Sequence, residues 1–150
     1  MFEMGRAVSC VAKNFGTIYA LIGHSLGASA AAFTMAGAGH LSLHKFTTSK
    51  LILLSVPESI PRIIENYSRN KNEMNQIDEL TQSLENAFNF KASDYQLSKT
   101  LQEINSEIMI VHDAQDEEIL MSDAIMMKQT NEKITLKLTN GNGHQKILVS

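Results

Sequence analysis

Between Phe2 and Asn14, the apolar positions Met4, Ala7, Val8, Val11 and Ala12 recur at helical spacing and predict an amphipathic helix. Thr17-Ile18-Tyr19-Ala20-Leu21-Ile22 is different: β-branched and apolar on both faces, as in a strand covered on both sides in a parallel sheet. Ser25 to Ala36 follows, a run of small residues that predicts a helix able to pack closely on a sheet, with Gly37 and Gly39 to end it. Leu51-Ile52-Leu53-Leu54-Ser55-Val56 is a second buried-strand run, and Pro57 stops it.

From residue 58 to 105 charges and amides are dense, and Ile77, Leu80, Leu84, Ala87 and Phe88 share one helical face. This stretch is too long for a plain connection and predicts two or three amphipathic helices. Ile108-Met109-Ile110-Val111 predicts a third strand, Met121 to Gln129 a helix, and the alternating Ile134-Thr135-Leu136-Lys137-Leu138 a fourth strand nearer an edge. Asn140-Gly141-Asn142-Gly143 reads as a loop, and a short helix opens at Gln145. Strands alternating with helices imply right-handed crossovers and a mostly parallel sheet, an α/β fold with flanking helices.

Composition narrows the classes. With 150 residues, 43% apolar and 19% charged, the chain is one globular domain or part of one. Thirteen Lys and Arg against sixteen Asp and Glu leave a formal charge of −3, no footprint for nucleic acid or an anionic membrane. Apolar runs reach about eight residues, far short of the ~20 that span a bilayer. The single Cys10 excludes an internal disulfide and a Cys-rich metal site, and no signal peptide is evident. The expected setting is cytoplasmic, with no cofactor and no metal.

In such sheets reactive groups collect beyond the carboxyl ends of the strands. After the first strand stands Gly23-His24-Ser25-Leu26-Gly27, a serine on a tight strand-to-helix turn. Both glycines are expected to make room, since side chains there would collide with the neighbouring strand or helix. The amide of Leu26, at the start of the helix, points where an oxyanion would form. After the third strand comes His112-Asp113-Ala114-Gln115-Asp116-Glu117-Glu118, and past the fourth Gly143-His144. A serine hydroxyl is a weak nucleophile until a histidine takes its proton and a carboxylate orients that histidine. The chain order serine, acid, histidine fits one hydrolase fold.

In these motifs the chain resembles the C-terminal portion of the α/β-hydrolase superfamily, of the carboxylesterase-like serine hydrolase type. G-H-S-L-G-A resembles the nucleophile elbow, I-M-I-V-H-D-A-Q-D-E-E-I the strand and loop of the acid, and G-N-G-H-Q-K-I-L the histidine loop. The resemblance implies a partial α/β-hydrolase fold of about four mostly parallel strands, with residues 57–105 as a helical cap insertion. It implies Ser25 as nucleophile, His144 as base and Asp116 as acid, four residues past the strand-end His112; Asp113 is its competitor. Leu26 would supply a backbone N–H to the oxyanion hole, and His24 would line the substrate pocket. The substrate would be a small-molecule carboxylic ester or related acyl compound. His112 is expected to hydrogen-bond the acid loop, and Phe88 and Phe90 suggest a greasy pocket. His40 and His44 are poor candidates for a metal, and Asn66-Tyr67-Ser68 matches a glycosylation sequon by coincidence.

The resemblance also implies that the N-terminal strands and the loop bearing a second oxyanion donor are absent, so the expected activity is impaired. One edge of the elbow strand is then unpaired and invites self-association. The rival class is a non-catalytic binding module on the hydrolase scaffold, separable by reaction with a fluorophosphonate. A dehalogenase on the same fold is disfavoured because its nucleophile would be a carboxylate.

Overall fold

The computed structural model describes residues 2–37, 45–71 and 76–149. The four predicted runs form one sheet, β1 (Ile18–His24), β2 (Thr48–Leu54), β3 (Glu107–Asp113) and β4 (Thr135–Thr139). All neighbours are parallel, in the spatial order β1-β2-β3-β4. Around it lie α1 (Phe2–Phe15), α2 (Ser25–Ala36), α3 (Ile60–Lys71), α4 (Ile77–Phe88), α5 (Leu97–Thr100), α6 (Met121–Thr130) and α7 (Gly143–Lys146), with a 3₁₀ turn at Ala92–Asp94. The class is α/β, the sheet that of a partial α/β-hydrolase fold. β1 and β3 run past their apolar stretches to His24 and Asp113, so polar side chains end the ladder.

Right-handed crossovers that always advance in the same direction place every connecting helix on one side of the sheet. The core lies there: Leu51, Leu53, Ile108 and Ile110 are buried against Ala28, Ala32, Phe33, Ala124 and Met127. The alternate strand positions Ile18, Ala20, Ile52, Leu54, Met109 and Val111 are only half-buried, and Ile22 is 62% exposed. β1 is an edge strand, with Tyr19 67% exposed.

The helix-forming pattern of residues 2–14 located α1 but not its buried face. Gly5, Ser9 and Ala12 turn inward, towards α2, while Met4 and Val11 are exposed. Contact with a helix as small-sided as α2 favours the smallest face of α1, because it permits the closest approach. Gly37, in the left-handed conformation (φ 64°), caps α2; Gly39, like His40 and His44, lies outside the described residues.

The segment between β2 and β3 leaves and returns through one neck. The Leu97 amide donates to Glu58 O at 2.7 Å and that of Ile60 to Tyr95 O at 3.3 Å. Ser98 Oγ donates to Glu58 Oε1 at 2.6 Å, and Ser59 Oγ caps α3 by accepting from the Arg62 amide. Arg62 then ties α3 to α6, donating through Nε and Nη2 to Asp123 Oδ1 at 2.9 and 2.8 Å. Phe90, read from sequence as lining a greasy pocket, is instead 7% exposed and packs edge-on against Tyr95 in the core. Its ring is spent on holding the segment down.

Candidate active site

Ser25 sits where β1 becomes α2, with φ at +53°, a left-handed conformation unusual for a residue with a side chain. The turn is this sharp because the helix crosses close over the strand: a Cβ on Gly23 would stand 2.5 Å from Ala28 Cα. Gly27 differs from its expected role, since a Cβ there meets nothing within 4 Å. Only the first glycine is required by the packing of the described residues. Leu26 lies in the first turn of α2, where amides have no acceptor within the helix and remain free for another oxygen.

The acid and the histidine meet. His144 Nδ1 and Asp116 Oδ2 are 2.8 Å apart, and both side chains are buried. The other oxygen of Asp116 accepts from the amides of Glu118 at 3.0 Å and Ile119 at 2.8 Å, so the loop itself aims the carboxylate. Burial works to raise the Asp116 pKa, but the His144 bond, the Ile119 amide and the neighbouring Ser55 hydroxyl together hold it below 3.8. For His144 burial works downward, and the bond and charge of Asp116 with the charge of Glu118 lift it above 6.5.

Asp113 is not the partner of His144. Its carboxylate accepts from Thr139 Oγ1 at 2.7 Å, the Gln115 amide at 2.9 Å and the Asn142 amide at 3.1 Å. Burial opposes its ionisation, yet these donors bring its pKa down to about 2. It binds the end of β4 and the loop before His144 to the end of β3. The loop turns at Gly141 (φ 93°) and Gly143 (φ 59°), positions where only glycine is unstrained.

β1 and β4 are the two outer strands, about 14 Å apart at the ~4.8 Å spacing of neighbours. The chain after β4 returns over β3 and β2, and His24 receives it: His24 Nε2 donates to His144 O at 2.9 Å. The imidazole rings lie 4.7 Å apart, tilted by 47°. Ser25 is thus one residue from a group bonded to the histidine segment, although the described hydrogen bonds include none between Ser25 and His144. His144 Nε2 faces Glu118 Oε2 at 3.8 Å. His24, expected to line a pocket, is in contact with His144.

His112 bonds the acid loop, its Nε2 donating to Ile119 O at 2.9 Å. A cavity of about 620 Å³ opens beside Asp116, lined by Arg69, Ala114, Gln115, Asp116, Glu117 and Leu120. Ser55, Glu118 and the loop-holding function of Asp113 carry no pattern in the sequence. Ser55 is fully buried at the end of β2 with φ 45°, and only the fold brings it beside Asp116. Among the described residues no group of three or more His, Cys, Asp and Glu could hold a metal ion. None of their helices is long and apolar enough to cross a membrane. Asn66 of the sequon is buried within α3.

No protein-family model matches the chain, and no curated protein matches it in sequence. Solved structures do. The Pyrococcus furiosus esterase Pf2001 aligns over 98% of this chain and 54% of its own, at 12% identity and a TM-score of 0.60. Acetyl xylan esterase 1 from Thermoanaerobacterium sp. JW/SL YS485 covers 94% of this chain and 46% of its own, at 14% identity and 0.61. MGS-MChE2, an α/β hydrolase enzyme from a lagoon-sediment metagenome, covers 93% and 59%, at 17% identity and 0.59. The chain spans about half the length of these proteins. Sheet order, strand-end turn and structural likeness agree: the chain has an α/β-hydrolase-like fold.

Proposed function

We propose that the chain carries a serine-hydrolase site for a carboxylic ester or related acyl bond. The observation that supports it is the 2.8 Å bond from Asp116 to His144 at the strand ends, with His24 joining that histidine to the turn of Ser25. In this reading Ser25 Oγ attacks the acyl carbonyl while His144 Nε2 takes its proton. The Leu26 amide donates to the oxyanion. Collapse expels the alcohol, which leaves with the proton from His144, and an acyl-Ser25 ester remains. Water, deprotonated by the same nitrogen, then releases the acid. Asp116 keeps the Nδ1–H tautomer in place and stabilises the imidazolium. The helical segment 57–105 acts as a cap over this site, and Arg69 and the loop after β3 border its pocket.

In this reading Leu26 supplies one oxyanion donor, and removing such a donor costs about a hundred- to a thousand-fold. The experiment is labelling by a fluorophosphonate, which needs an activated serine but little substrate recognition. The wild-type chain is labelled and Ser25→Ala is not. Equal labelling of the folded Ser25→Ala chain overturns the reading.

A further inference from the structure

We infer that His24 is a positioning residue that latches the histidine segment across the sheet onto the nucleophile turn. This rests on the serine-hydrolase reading and deepens it. The geometric problem is plain: the segment bearing His144 starts at the far edge strand and must reach about 14 Å back over two strands. At its origin it is fixed by Asp113, whose carboxylate holds Thr139 and Asn142. At mid-span it is fixed by Asp116 through the His144 ring. Among the described hydrogen bonds neither anchor reaches β1. His24 does, through the 2.9 Å bond from Nε2 to the His144 carbonyl and the 4.7 Å contact between the rings.

A carbonyl oxygen only accepts, so His24 Nε2 carries the hydrogen. Its backbone is extended (φ −122°, ψ 136°), and its side chain leaves the strand on the side opposite to Gly23, which faces Ala28 of α2. The imidazole therefore stands clear of the helix layer and under the returning chain. Because His24 and Ser25 are adjacent, the bond sets the distance between the nucleophile and its base without touching either reacting atom. A side chain of similar reach with an N–H at its tip would serve the same purpose; an apolar ring would fill the space and lose the bond.

The test compares His24→Gln, which retains a donor, with His24→Phe, which does not. Fluorophosphonate labelling of Ser25 falls roughly ten- to a hundred-fold in His24→Phe, as expected when reacting groups drift by about 1 Å, and stays within about three-fold in His24→Gln. Amide hydrogen exchange of residues 143–147 rises by roughly ten-fold in His24→Phe alone, and strand β3 stays protected in both variants. A His24→Phe chain that labels like wild type, or equal loss in both variants, overturns the latch. Should the wild-type chain not label at all, the hydrolase reading fails and exchange alone decides: unchanged exchange at 143–147 in His24→Phe overturns the latch independently.

Discussion

Asp116 and His144 each oppose what burial would impose on them, and this fixes two pH limits. The Asp116 pKa lies below 3.8 in the fold, so its stabilising contribution is present above that value and is lost as pH falls through the lower, folded one. The His144 pKa lies above 6.5, so its contribution is complete below 6.5 and is lost as pH rises through the folded value. The pair is most stabilising between the two, as an ion pair. The proposed reaction needs the opposite of that state, because a protonated His144 cannot take the proton of Ser25. The groups that face this ring are Asp116, Glu118 and His24. The rate of fluorophosphonate labelling therefore rises with pH with its inflection above 6.5, and Glu118→Gln moves the inflection downward. A labelling profile with its midpoint at or below 6.5 contradicts this assignment of the base. At this scale the sequence revealed which residue types stand at which strand ends, and the resemblance to the hydrolase pattern favoured Asp116 over Asp113. It could not reveal that Asp113 is a clamp or that His24 receives the His144 segment at β1, since both depend on the return path of the chain after β4.

Among the elements, α3 is the helix whose attachment is most specific. Arg62 donates twice to Asp123, which is fully buried at the start of α6 and whose other oxygen accepts from the Glu58 amide at 3.2 Å. Arg62→Ala strands that carboxylate, and removing one member of a buried pair is costly. With Arg62 partly open to solvent, a loss of about 2–3 kcal/mol is expected from urea denaturation. Glu65→Ala, which removes the outer contact of the same arginine, changes stability by less than about 1 kcal/mol. The strands were legible because apolar β-branched runs have few alternatives in a chain this short, and α4 and α6 followed from periodicity and position. The burial of α1 was not. Periodicity counts large apolar residues, whereas the contact with α2 is made through Gly5, Ser9 and Ala12. The neck of the segment between β2 and β3 also lies beyond local pattern, because it joins residues 58–60 to residues 95–98, far apart along the chain.

For the whole molecule, β1 stands at one edge of the sheet, with no strand of the described residues beyond it. No Lys, Arg, Asp or Glu lies between Ile18 and His24, and Tyr19 and Ile22 are exposed, so the edge lacks the charges that usually discourage further pairing. A second copy joining through the same edge about a two-fold axis would set Ile18 of one copy opposite Ile22 of the other and extend the sheet. Sedimentation velocity should show concentration-dependent association of the wild-type chain, and Ile22→Lys, already at an exposed site, should shift it to the monomer. A wild-type chain that stays monomeric at high concentration rules this out.

The order β1-β2-β3-β4 has one more implication. With the connecting helices on one side of the sheet, folding dries that side of the two central strands, β2 and β3, and leaves the alternate positions mostly half-buried. The chain thus draws its cohesion from two layers where parallel sheets ordinarily use three. Its free energy of folding per residue, and the heat capacity released with it, should fall short of what its length would suggest.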